Sequence, residues 1–439
     1  MMSETAERVA NVAYEDALYA RVTRRIMPVL FICYVIAYLD RVNVGFAKLT
    51  MLHDLGFSEA VYGLGAGIFF LGYCFAEVPS NMMLARFGAR RWLTRILISW
   101  GIVSACMLFV HSVGSFYFLR FSFGLAEAGM FPGTIYYLTH WYPAARRGRI
   151  FSLFMIAQPV TGVVGGPLSG WILQSFRGTL GLAGWQWLFL IEALPAIVMG
   201  LIFSRVIDDR IADAGWLSEN EKQVLEDALK RDQANKQQLP SFRAVVANGR
   251  VWLLAAITFT SVMGLYGVGF WLPSILKATG IQQPLRIGLL TAIPYALTIV
   301  AMFLLGRNSD RTGERRWHLA LTAAVGGVGL ILSTLAAGNV TLAMIALTIA
   351  TVGIGVNQPL FWSLPTAFLG GGAAAAAIAF INVGGNLAGF FGPYVVGWIA
   401  NATHSTNIGM YVLAGFLFLS SVLSLCVPAQ LVNTKGKAG

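Results

Sequence analysis

Apolar runs of bilayer length alternate with short polar gaps along almost the whole chain. The runs fall near residues 27–47, 60–84, 92–111, 115–139, 150–173 and 185–207. After a polar stretch they resume near 251–275, 286–306, 317–336, 341–369, 374–400 and 409–430. About 20 helical residues cross a bilayer core, so the pattern predicts an all-α membrane protein of twelve transmembrane helices in two six-helix bundles. The expected divisions are 1–207 for the first bundle, 208–250 for a linker and 251–439 for the second bundle and tail. Within the linker, Ser218 and Glu221 have capping-box spacing, and Val224, Leu225, Ala228 and Leu229 form an apolar stripe. That predicts one amphipathic helix, expected on the cytoplasmic face, either a plain tether or a regulatory element.

The two halves repeat. Ala85-Arg86-Phe87-Gly88-Ala89-Arg90-Arg91-Trp92 and Asp310-Arg311-Thr312-Gly313-Glu314-Arg315-Arg316-Trp317 carry Arg, Gly, Arg, Arg and Trp in one register, 310 − 85 = 225 residues apart. Gly166-Pro167 before Gly170-Trp171-Ile172 returns at nearly that offset as Gly392-Pro393 before Gly397-Trp398-Ile399. A fixed period marks a duplicated unit, and many membrane carriers place their working site between two such halves. Gly162, Gly165, Gly166 and Gly170, with Gly385, Gly389, Gly392 and Gly397, allow close helix contact or bending near Pro167 and Pro393, for packing alone or for rocking.

Composition agrees with a polytopic membrane protein: only 12% of residues are charged and 57% are apolar, against about 25% charged in soluble chains. The net charge of +11 does not mark a nucleic-acid binder, because the basic residues are scattered in small clusters between the apolar runs. Arginines crowd the N-terminal tail, the 2/3, 4/5 and 8/9 gaps and the central stretch, whereas the alternate gaps hold only Lys48, Arg177, Lys277 and Arg286. Positive-inside bias then puts both termini and the linker in the cytoplasm. The first 26 residues are polar and mixed in charge, so the first run is expected as a permanent span rather than a cleaved leader. Cys33, Cys74, Cys106 and Cys426 lie in apolar runs and read as reduced thiols. His53, His111, His140, His318 and His404 sit near span ends and make no metal or nucleophile constellation, so no metal, cofactor or enzymatic activity is expected.

A charge at the bilayer centre costs about 2.5–3.5 kcal/mol and persists only beside a cavity or partner. Six such charges stand in the first half: Asp40 and Arg41 in span 1, Glu77 in span 2, Arg120 and Glu127 in span 4, and Glu192 in span 6. Arg120 and Glu127 are two turns apart on one face, and the helical rise brings span 1 and span 4 charges to similar depth. Asp40, Arg41, Arg120 and Glu127 are therefore expected in one buried network, working or static. Such a carboxyl can load and release a proton as its arginine comes and goes, while an arginine fork suits capture of an anion. Glu192, among Trp185, Trp187 and Phe189, is read as a packing group near an interface. Glu77 is open between roles, with Tyr73 as polar neighbour. The second half offers neutral groups instead: Asn382 and Asn386 at i, i+4, the Asn357, Gln358, Trp362, Ser363, Thr366 cluster, and Tyr266, Phe270 and Trp271. With Gln158 of span 5 they suit a hydroxylated or aromatic acid, although each alone also reads as an interhelical hydrogen bond.

The chain resembles the major facilitator superfamily and, within it, the anion:cation symporter family. The resemblance rests on the two arginine loops, Tyr38-Leu39-Asp40-Arg41-Val42-Asn43, Gly72-Tyr73 with Glu77-Val78-Pro79-Ser80-Asn81, Gly124-Leu125-Ala126-Glu127-Ala128-Gly129 with Phe131-Pro132-Gly133, Gly184-Trp185-Gln186-Trp187-Leu188-Phe189, and Gly385-Asn386-Leu387-Ala388-Gly389. It implies a secondary transporter that imports a small organic anion (a sugar acid, dicarboxylate or aromatic acid) with protons by alternating access. It implies Asp40 and Glu127 as protonation sites, Arg41 as carboxylate partner, Arg120 as support, and Tyr73, Gln158, Ser363 and Asn386 as pocket positions. It also implies conformational latches at Arg86, Gly88, Arg90 and Arg91, and at Asp310, Arg311, Gly313, Arg315 and Arg316. One departure stands out: Ala85 occupies the latch's usual acidic position, which its echo fills with Asp310. The expected setting is a monomer in a bacterial inner membrane. The same fold also serves exchangers, uniporters and, more rarely, non-transporting sensors.

Overall fold

The computed structural model describes residues 2–234, 247–336, 338–368 and 373–433, and among them every regular element is helical. The first half comprises α1 (Met2–Val42), α2 (Val44–Leu55), α3 (Glu59–Phe87), α4 (Ala89–Cys106), α5 (Val113–Glu127), α6 (Met130–Thr139), α7 (Ala144–Met155), α8 (Ala157–Ser175) and α9 (Gly184–Val206). A helix α10 (Glu219–Ala234) precedes the second half, which comprises α11 (Gly249–Ala278), α12 (Pro284–Thr312), α13 (Arg316–Thr334), α14 (Val340–Phe368), α15 (Ala373–Thr403), α16 (Asn407–Leu425) and the short α17 (Ala429–Val432).

Ten described segments are long and apolar enough to cross a membrane. The pair α5–α6 and the 31-residue α15 complete twelve crossings. The crossings follow the hydropathy pattern with two differences. The first helix starts far ahead of the apolar run, because the polar residues before Met27 continue the same helix out of the core. The fourth crossing is broken: Ala128 is extended (ψ 131°) and Gly129 is left-handed (φ 91°), a conformation glycine adopts without steric cost.

The predicted linker helix is present with its capping box. Ser218 N–H donates to Glu221 Oε2 at 2.8 Å and Glu221 N–H to Ser218 Oγ at 3.4 Å, and these bonds hold the Glu221 carboxyl below its usual value. The helix docks on the first half, where Glu221 pairs with Arg21, Asp232 with Arg147 and Arg231 with Glu15.

On the face away from the chain ends, the halves meet on glycine. A Cβ at Gly63 would stand 2.7 Å from Pro393 O, and one at Gly166 2.7 Å from Gly288 O. Backbones this close leave no room for a side chain, as is usual where small residues let membrane helices approach. Of the repeat's glycines, Gly166, Gly170 and Gly397 lie on this seam between halves, while Gly392 packs on Met263 within its own half. Tyr62 Oη donates to Phe270 O at 2.9 Å, and Lys277 Nζ to Leu49 O at 2.7 Å, tying the same face across the seam.

Candidate substrate and proton site

Arg41, one residue from the end of α1, is 7% exposed and faces the seam. Its Nη1 donates to Tyr266 Oη of α11 at 2.8 Å, and its Nη2 pairs with Glu127. The rings of Tyr38, Phe69, Phe70 and Tyr73 surround the guanidinium, their centroids 5.3–5.9 Å from its carbon. Rings at such distances stabilise a cation in a poorly hydrated place. One half thus supplies the charge and the other touches it.

Glu127 is wholly buried and closes α5. The break behind it frees backbone groups that a continuous helix would pair. Ser80 Oγ donates to Ala128 O at 2.6 Å and in turn accepts Trp92 Nε1–H at 3.0 Å. The broken helix is thereby connected through Ser80 to the first arginine loop.

The single four-residue network expected from the sequence is not formed. Successive helical residues point about 100° apart, so Asp40 turns away from Arg41 into the first half. There it accepts Trp100 Nε1–H at 2.7 Å and Ser104 Oγ at 3.5 Å. Arg120 lies two turns from Glu127, beyond direct reach, and braces α5 on α3 by donating to Gly65 O at 3.1 Å and Ala66 O at 3.2 Å. The Arg41–Glu127 pair therefore stands alone, with Asp40 behind it and Arg120 above.

Glu192 is also differently placed. It is 1% exposed rather than interfacial, accepts Ser169 Oγ at 2.6 Å, and lies against Asn43, the residue between α1 and α2. Glu77 finds partners across the seam rather than at Tyr73. Its Oε1 accepts Asn382 Nδ2 at 2.7 Å and its Oε2 accepts Asn386 Nδ2 at 3.0 Å. Tyr73 instead turns its ring to Arg41. Gln158 donates to Tyr38 Oη at 2.8 Å and borders a cavity of about 20 Å³, beside Tyr295, Thr298 and Thr351. Asn357 faces away from the seam and bonds Leu319 O and Thr322 Oγ1 of α13. The side chains of Ser363 and Thr366 lie outside the described residues.

Lys48, which falls in a gap of the hydropathy pattern, is a buried residue of the seam. It is 6% exposed, pairs with Glu59 at 2.6 Å, and sits 3.5 Å over the Trp271 ring. The signal was available, since the apolar run continues past it through Met51 and Leu52. Tyr266 was noted only as one of several polar groups, and nothing in its local sequence marks it as the partner of Arg41.

At the face carrying the chain ends, the two arginine loops use one device. Gly88 (φ 86°) separates α3 from α4, and Arg90 N–H donates to Asp209 Oδ1 at 2.7 Å. Gly313 (φ 64°) ends α12, and Arg315 N–H donates to Asn433 Oδ1 at 3.0 Å. Asp209 follows the sixth crossing and Asn433 the twelfth. Arg90 Nε adds a bond to Ser204 O at 2.5 Å, and Arg316 Nη1 one to Val427 O at 3.5 Å. Arg86, Arg91, Asp310 and Arg311 are exposed on this face. Glu314 caps α13, accepting Trp317 N–H at 2.8 Å and His318 N–H at 3.2 Å. Burial alone would raise the Glu314 carboxyl, but these N–H groups with the His318 ring and Asn433 amide outweigh it and hold it below its usual value.

Residues 30–393 match the sequence model of the Major Facilitator Superfamily. The chain belongs to the major facilitator superfamily. It is 45% identical over 418 residues to the "Putative metabolite transport protein NicT" of Pseudomonas putida, with 95% of this chain and 96% of that protein covered. It is 46% identical over 428 residues to a "Putative tartrate transporter" of Agrobacterium vitis, with 97% and 98% covered. Among solved structures, the xylose transporter XylE of E. coli, in a partially occluded inward-open conformation, shares the fold. Its TM-score is 0.70 at 13% identity, covering 92% of this chain and 100% of that one. This superfamily member is accordingly a multi-pass membrane transporter of a small molecule and not an enzyme.

Proposed function

We propose that this transporter imports a small organic anion together with protons across a bacterial inner membrane, as a monomer with both termini in the cytoplasm. Residues 1–207 and 251–439 act as the two rocking bodies and 208–250 as their tether. The observation that carries the reading is Arg41, a buried cation held between Glu127 of one half and Tyr266 of the other. Arg41 Nε is buried and lacks a hydrogen-bond partner among the described residues, so the guanidinium has a donor to spare for an incoming carboxylate. The A. vitis relative is named a tartrate transporter, and tartrate is an anion of this class.

The chemistry follows from competition for one cation. While ionised, Glu127 occupies Arg41. A proton on Glu127 removes that charge, and the fork then takes the carboxylate of the substrate, for which its planar geometry is suited. With the anion on Arg41 and the proton on Glu127, neither of these two groups carries an unpaired charge through the membrane, which is the costly alternative. Asp40 is held by neutral donors only and serves as a second proton site behind the first. Tyr73 and Gln158, which frame Arg41 and its neighbour Tyr38, shape the rest of the pocket together with Ser363 and Asn386.

The test is uptake into proteoliposomes under an imposed pH gradient, beside counterflow with no gradient. Asp40→Asn and Glu127→Gln are expected to lose gradient-driven accumulation by at least about tenfold while retaining counterflow. Accumulation with the pH dependence of the parent protein in both variants would refute proton coupling through these residues.

A further inference from the structure

Glu77 presents a carboxylate of the first half to two amides of the second. Asn382 and Asn386, one turn apart on α15, donate separately to its two oxygens at 2.7 and 3.0 Å. Glu77 is 9% exposed and Asn386 likewise 9%. The same helix α3 places Tyr73 one turn before Glu77, with its ring 5.5 Å from the Arg41 guanidinium, so the amide pair and the arginine belong to one chamber.

The groups facing Glu77 are largely neutral. On α15 they are the two asparagines; from α1 the Arg41 cation acts on it at longer range, and it has no ion-pair partner among the described residues. A static strut could be built more cheaply. A carboxylate bonded only by amides gives up much of its hydration without a cation in contact, whereas an amide at position 77 would leave no charge to bury. The geometry suits a ligand better than a strut, because two donors at i, i+4 on one helix face match the two oxygens of a carboxylate.

Arg41 is meanwhile engaged by Glu127. Both anion-binding features of the chamber, the arginine and the amide pair, are thus engaged by carboxylates of the protein itself. We propose that Glu77 is an internal stand-in for the substrate, occupying the Asn382–Asn386 amides until a second acceptor group of the incoming anion displaces it. The inference rests on the organic-anion reading above and deepens it. The ligand is an anion with one carboxylate for Arg41 and a further carboxylate or hydroxyl for the amides. Displacement also releases a tie between the halves, so only cargo that fills both subsites both unlocks the seam and bridges it. A monocarboxylate without a hydroxyl reaches Arg41 but does not replace Glu77.

Competition lowers apparent affinity by the fraction of time the amides are free. Removing the competitor should therefore tighten binding of a two-ended ligand selectively. The experiment is calorimetric titration of the purified full-length protein in detergent with tartrate and, as a one-ended comparison, with propionate. Glu77→Gln and Glu77→Ala are expected to bind tartrate about five- to tenfold more tightly than the parent, with propionate changed less than twofold. Asn382→Ala and Asn386→Ala should erase the preference of the parent for tartrate over propionate. Tartrate binding by the parent with no gain in either Glu77 variant overturns the stand-in role alone and leaves Glu77 a strut. Absence of carboxylate binding in the parent and every variant overturns the organic-anion reading as well.

Discussion

At the face carrying the chain ends, Asp209 accepts Arg90 N–H and Asn433 accepts Arg315 N–H, at 2.7 and 3.0 Å. The donors are 315 − 90 = 225 residues apart and the acceptors 433 − 209 = 224. At mid-depth the same offset joins Arg41 to Tyr266 (266 − 41 = 225), and these two mates touch each other. Their neighbours do not match at all. At an offset of 225, Asp40 is answered by Leu265 and Glu77 by Met302. The loops keep the repeat because both must perform one task, closing a helix–helix corner against the last segment of their own half. The chamber abandons it because a site with charge on both sides would set like charges face to face in a medium that screens them poorly. One charged wall and one neutral, hydrogen-bonding wall let a small anion be held by the first and oriented by the second.

The largest effect is expected where the comparison is sharpest. Arg41→Ala removes the cation that the two walls share and leaves Glu127 buried without its partner, a loss that typically costs about 3–5 kcal/mol. Substrate binding should fall by more than a hundredfold, read by titration of purified protein. Arg41→Lys keeps the charge but not the fork or its reach to both Glu127 and Tyr266, and should recover only a small part of the affinity. Binding by Arg41→Ala at parental affinity would place the anion site elsewhere. The asymmetric wall would then be packing alone.

Much of this arrangement is legible in the sequence, and the unread part has identifiable causes. The cost of burying charge singles out Asp40, Arg41, Glu77, Arg120, Glu127 and Glu192 without any structure, and all six are buried. Who meets whom is another matter. Asp40 and Arg41 are adjacent in the chain yet face different helices, because helix rotation separates neighbours and the absolute rotation of α1 is set by tertiary packing. The break at Ala128–Gly129 hides in an unbroken apolar run, since glycine within membrane helices is common and need not interrupt them. The repeat of the loops is plain from Arg, Gly and Trp, but Asp209 and Asn433 lie in short segments with no motif of their own. Where the second loop opens with Asp310 the first has Ala85, and Asp209 brings a carboxylate to that loop from after α9.

The loops offer an intermediate effect that tests their equivalence. A Cβ at Gly88 would stand 2.7 Å from Asp209 Oδ2, at a backbone φ of 86° and ψ of 157° that side chains avoid. Gly88→Ala should therefore cost about 1–3 kcal/mol of stability and pry Asp209 from Arg90. Asp209→Asn converts the first loop to the chemistry of the second and should be nearly neutral, because the amide oxygen still accepts Arg90 N–H. Asp209→Ala and Asn433→Ala each remove one acceptor and should cost about 1 kcal/mol apiece. Thermal unfolding in detergent compares all four. A large loss in Asp209→Asn would mean that the first loop depends on charge where the second does not, and the two corners would no longer be one device.

The smallest effect distinguishes the loops by pH. Glu314 caps α13 in the second loop, whereas position 89 in the first is Ala89 and supplies no carboxylate. The Glu314 carboxyl is held below its usual value when folded, so the unfolded chain binds its proton first as pH falls. Its contribution to stability is therefore full above the ordinary carboxylate value near 4.3 and is lost as pH drops through the lower, folded value. A cap of this kind contributes about 0.5–2 kcal/mol. Glu314→Gln should lower unfolding temperature by a few degrees at neutral pH, and the gap from the parent should narrow as pH is lowered below the ordinary carboxylate range, from 5 to 3. Ala89→Gln in the first loop should show no such convergence. A gap for Glu314→Gln that stays constant over that range would assign the loss to packing of the side chain rather than to its charge, and the pH contrast between the loops would disappear.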